Sequence, residues 1–134
     1  MLDFRSDHFE QCVNYLERAR KHHDLGAPEV CELAELVNNS IVGASKLLHV
    51  VAPEHYCIWD SRVAKYLGAT QTYGVAGAEQ YVCYNDCCRS LASSPEAAVL
   101  TRELSAHVGC SLSPLRALEL VMFYASREGR SYRA

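Results

Sequence analysis

Apolar residues return every three or four positions through most of this chain, the period of helices with one buried face. Phe9, Cys12, Val13, Leu16 and Ala19, with charges between them, predict a helix from Asp7 to about Asp24, and "DLGAP" stops it. Pro28 suits the first turn of a second helix, with Glu29 beside it favourable to the helix dipole. Its apolar stripe is Val30, Leu33, Ala34 and Val37, and Asn38 and Asn39 end it. From Ser40, "SIVGASKLLHVVA" predicts a third helix closed by Pro53, with Gly43 either a close packing point or a remnant of a turn. Asp60 is placed to cap a fourth helix, whose buried side is Val63, Tyr66 and Leu67. After the polar loop "GATQTYG", Ala78, Tyr81, Tyr84, Cys88 and Leu91 mark a fifth. "SSPE" and "SLSP" each set a serine before a proline and open the sixth and seventh. The seventh, "PLRALELVMFYAS", is apolar almost all round, which predicts a central position or burial against a second copy through residues 114–125. Strand alternation and hairpin signals are missing. The expectation is an all-α fold, one compact domain of six to seven helices over residues 1–134, with residues 127–134 as a basic tail.

Length and composition narrow the classes. A chain of 134 residues, 49% hydrophobic, suits one core rather than two. No apolar run approaches the roughly 20 residues needed to cross a bilayer, and "MLDFRSDHFE" lacks a basic region followed by an apolar stretch. A cytoplasmic protein without membrane contact is therefore expected. Seven cysteines, an odd number without an export signal, read as reduced thiols rather than a disulfide framework. The net charge of −3 excludes a wide basic surface for nucleic acid and leaves room only for a local patch. The one arginine-rich piece is "SREGRSYRA".

The stretch with a chemical reading is "GASKLLHVVAPEHYCIWDSRVAKYLG", residues 43–68. It resembles the core of the helix-hairpin-helix DNA glycosylase superfamily, the endonuclease III and 8-oxoguanine glycosylase group. "GASK" stands where that family has its glycine hairpin and lysine, "YCIWD" where it has the aspartate loop, and "DSRVAKYL" where the next helix begins. The resemblance implies Lys46 as an amine nucleophile on the sugar and Asp60 as the carboxylate that assists departure of the base. A desolvated amine can form a Schiff base, and a carboxylate stabilises positive charge developing on the sugar. Contacts to nucleic acid or another ligand would come from Gly43, Ser45, Tyr56, Trp59, Arg62 and Lys65. The hairpin glycines are reduced to Gly43, and Lys46 and Asp60 are 60 − 46 = 14 positions apart, a short separation for the family. The expected function is therefore a non-catalytic relative that binds DNA or a protein partner. A reduced glycosylase/lyase and a self-associating helical module are the alternatives.

Other groupings carry less. His8 with Cys12, and Cys83 with Cys87, sit at i, i+4, a spacing that offers N/S donor pairs to zinc. No loop carries the usual ligand knots, so no metal and no cofactor are expected. Cys57 near His55 is the best-placed thiol for activation, and "RKHHD" reads as a basic helix end. Phosphate loops, dinucleotide fingerprints and serine elbows are missing from the sequence.

Overall fold

The structure is a computed structural model that describes residues 6–69 and 74–130. It contains α1 (Ser6–His22), α2 (Ala27–Leu36), α3 (Ile41–Val51), α4 (Ser61–Tyr66), α5 (Gly74–Ala92), α6 (Pro95–Val108) and α7 (Pro114–Arg127). Among the described residues there is no strand. The chain is all-α and folds as one compact body, as the periodicity predicts. The centre of the polar loop, residues 70–73, and the last four residues of the expected tail lie outside the described residues.

The helix starts follow from their caps. Ser40 Oγ accepts from Gly43 N–H, Asp60 Oδ1 from Val63 N–H, Ser94 Oγ from Ala97 N–H and Ser113 Oγ from Arg116 N–H. Each satisfies an amide that has no partner within its helix. At α2 the first residue before the helix is Gly26, and the Glu29 carboxylate accepts from its N–H. The hairpin joining α2 to α3 turns on Asn38 and Asn39, with φ of 55° and 52°. Asparagine tolerates that left-handed region better than most side chains. Gly43 is a packing point: a Cβ there would come within 2.9 Å of Val37 Cγ1. Gly109, at φ 78°, ends α6 in the left-handed conformation.

α1, α2 and α3 pack against one another, α2 also lies along α5, and α4 and α6 pack on α7, which meets α5. The bend between α3 and α4, residues 52–60, enters the middle of this arrangement. Tyr56, Cys57 and Trp59 are all buried there, and Trp59 is only 1% exposed. The indole packs on Tyr84 (centroids 5.0 Å apart) and meets Tyr81 nearly edge-on at 6.4 Å. Such aromatic pairs add about 0.5–1.5 kcal/mol beyond the area they bury. One expectation fails in part: α7 is not central. Leu115 and Ala117 are buried, yet Val121 is 39% and Tyr124 52% exposed. Its apolar circumference is shared among α4, α5 and α6 on one side and the surface on the other.

Candidate functional site

A non-helical segment at the centre of a helical protein has backbone groups that no helix satisfies, and burying them unpaired is costly. Here side chains supply the partners. Cys57 N–H donates to Asn85 Oδ1 (2.7 Å), Ile58 N–H to Glu119 Oε1 (2.6 Å) and Trp59 N–H to Ser45 Oγ (2.9 Å). The hydroxyls of Tyr81 and Tyr84 donate to the carbonyls of Cys57 (2.9 Å) and Ile58 (3.4 Å). Asn85 Nδ2 donates to His55 O at 3.0 Å, and a ring nitrogen of His49 lies 2.9 Å from Tyr56 O. Three helices, α3, α5 and α7, thus hold one bend, which fixes the position of Asp60 at its end.

Asp60 opens onto a cleft of about 250 Å³ whose other walls include Ile58, Val63, Arg116, Glu119, Phe123 and Tyr124. Glu119 is 2% exposed and has two partners, the Ile58 amide and the Arg116 guanidinium at 2.9 Å. A buried carboxylate with both a hydrogen bond and a cation is tolerated, whereas removing one partner is strongly destabilising. Arg62, on α4, sets its guanidinium carbon 6.0 Å from the Phe123 ring centroid, within the range of cation–π attraction. Arg116, Leu120, Phe123 and Arg127 recur at i, i+4, i+7 and i+11 and share one face of α7. The cleft thus carries one arginine, Arg116, and two aromatic residues beside the carboxylates of Asp60 and Glu119, with Arg62 flanking it.

The residues read from sequence divide between core and surface. Ser45, Tyr56 and Trp59 are buried and hold the bend, with no face offered to a ligand in this conformation. The Gly43 amide is occupied by its cap serine. Arg62 and Lys65 are exposed on α4. Lys46 is exposed on α3 and is not among the residues lining the Asp60 cleft. Its neighbour Ser45 points into the core, and successive helical side chains diverge by about 100°. Asp60 spends one carboxylate oxygen on the Val63 amide.

The remaining chemical candidates are separated by the same packing. His55 stacks on His23, with centroids 3.5 Å apart. Cys57 is instead buried, and the neighbouring Cys88 thiol together with that burial holds its own thiol far above the ordinary range, so it stays protonated. Cys12, near His8 in sequence, is buried, and burial raises its pKa as well. Among the described residues no three or more His, Cys, Asp or Glu side chains converge as a metal site.

Glu119, Asn85, Arg116, Phe123 and Tyr124 were not singled out from sequence. Two of them left a signal: Glu119 is the one acid in "PLRALELVMFYAS", and Asn85 interrupts the apolar side of α5. A polar residue on a buried face needs a partner, and both find it in the bend. No family model, no curated protein and no solved structure matches this chain.

Proposed function

We propose that this protein is a non-catalytic helical binding protein, related in design to the helix-hairpin-helix glycosylases, that holds unpaired nucleic-acid bases at the α4–α7 cleft. The observation that carries this reading is the composition of the cleft that Asp60 opens onto: Arg116, the half-buried Phe123 and the exposed Tyr124 line it, and Lys46 does not. Aromatic faces stack on bases of any sequence, and arginines meet the phosphates between them. Arg62 on α4 and Arg127 on α7 are the cations beside the cleft, with Arg116 inside it paired to Glu119, a local patch compatible with a net charge of −3. With about two phosphates neutralised on a single strand, by Arg62 and Arg127, log affinity falls against log salt with a slope of about −1.4.

The test is fluorescence anisotropy of a labelled single-stranded oligonucleotide titrated with the full chain at several salt concentrations. Binding with that slope is expected, and Tyr124→Ala removes a stacking contact worth about 1–3 kcal/mol. No binding at low salt refutes the reading. Borohydride treatment of the chain with abasic DNA is expected to trap nothing; trapping lost in Lys46→Ala replaces the binding reading with the lyase one.

A second reading has its own support. Val121 and Tyr124 expose apolar surface on α7, so this helix can cover the same face of a second copy. Light scattering at low protein concentration that returns a monomer rejects it.

A further inference from the structure

Four of the seven cysteines lie on α5 or in the bend that packs against it. Cys57 and Cys88 form the buried pair already described. Cys83 and Cys87 are exposed and one helical turn apart, so their side chains lie over the same face of α5. Both line an apolar groove of about 860 Å³ between α5 and α7, where Leu91, Val121 and Met122 form part of the walls.

Geometry decides what such a pair can do. Residues at i and i+4 of a helix hold their Cβ atoms about 5–6 Å apart. A disulfide needs about 3.5–4.5 Å, so closing one would break the α5 turn. A bridging metal ion needs more room, because two metal–sulfur bonds of about 2.3 Å span roughly 4–5 Å. The unbroken helix therefore keeps the two thiols from closing a disulfide, while side-chain rotation can set the two sulfurs at the metal-bridging span. Among the described residues no third Cys, His, Asp or Glu joins these two thiols in a set that could hold a metal ion, so they do not complete the tetrahedral shell of zinc. They do suit an ion content with two soft donors, and the Met122 thioether offers a further soft sulfur in the same groove.

We infer that Cys83 and Cys87 form a two-thiolate site for a soft monovalent cation of the copper(I) class. Binding breaks two S–H bonds, releases two protons and forms two metal–sulfur bonds. The copper stays in the +1 state and no oxidant takes part. The groove shields the metal–sulfur bonds from water on the α7 side and leaves the exposed side of α5 open for entry.

The experiment is an anaerobic titration of the reduced full chain into copper(I) held by a coloured chelator, reading the copper withdrawn. The wild type is expected to withdraw one equivalent. Cys83→Ser and Cys87→Ser should each lose more than the about 10–100-fold in affinity typical of removing an outer partner. Cys110→Ser, a change at an exposed thiol on another part of the surface, should withdraw one equivalent like the wild type. Urea midpoints read by Trp59 fluorescence confirm that each variant is folded. Two results overturn the inference: no copper withdrawn although a monothiol reagent finds Cys83 and Cys87 reduced, or undiminished affinity in both folded serine variants.

Discussion

Asn85 is the side chain on which the central bend depends most directly, and Asn85→Ala tests that dependence. The residue is 3% exposed and uses both ends of its amide. Its loss leaves the buried Cys57 N–H without an acceptor, at a cost of about 1–3 kcal/mol. The His55 carbonyl is only partly buried and recovers water, so that bond contributes about 0.5–1.5 kcal/mol. Together the expected loss is about 2–4 kcal/mol, a large share of the 5–15 kcal/mol that holds an ordinary domain together. At about 3–5 °C per kcal/mol for a chain of this size, Tm falls by about 6–20 °C. Urea unfolding followed by the fluorescence of Trp59, the single and fully buried tryptophan, measures it directly. The slope m stays constant, because the surface exposed on unfolding is unchanged. Ser90→Ala, at an exposed position on the same helix, is the control and stays within about 0.5 kcal/mol. An Asn85→Ala midpoint equal to wild type with unchanged m refutes the view that side chains substitute for secondary structure at the bend.

Two further perturbations probe the same region. Asp60→Ala removes the α4 cap and costs about 1 kcal/mol, while Asp60→Asn keeps an acceptor for Val63 N–H and loses little. Equal losses in the same urea assay would show that the charge matters beyond the cap. Burial, then the adjoining His23 ring and the Arg89 guanidinium, hold His55 below its ordinary pKa, with Glu54 opposing them. The folded state then binds the proton less readily than the unfolded one. Stability from this group is complete above the unfolded value of about 6.5 and is lost as pH falls through it toward the folded pKa. His55→Asn should flatten the difference in urea midpoint between about pH 7.5 and about pH 5.5; a variant as pH-dependent as the wild type excludes this cause.

Helix positions, caps and the all-α class were legible in sequence because they are local properties. A serine before a proline, an aspartate before Ser61-Arg62-Val63 and a return of apolar residues every three to four positions each act within one or two turns. Long-range pairing was legible only as a question. Glu119 in an apolar helix and Asn85 on a buried face announce that a partner is needed, yet the partners are 61 and 28 residues away in the chain. From sequence Trp59 and Tyr56 read as contacts to nucleic acid or ligand, and packing made them core anchors. α7 misled in part because composition counts apolar residues without saying which neighbours cover them.

The amino-acid order by itself determined seven helical segments, the caps of the fourth, sixth and seventh, and a break at Pro53 where the third helix closes. Only the tertiary structure decided that the bend lies at the centre, that Asp60 opens toward α7 with Lys46 outside the cleft, and that Cys83 and Cys87 share an apolar groove. The physical reason is range: dihedral preference and capping act over a few residues, while the partners of a buried polar group are set by which helices come to lie beside it.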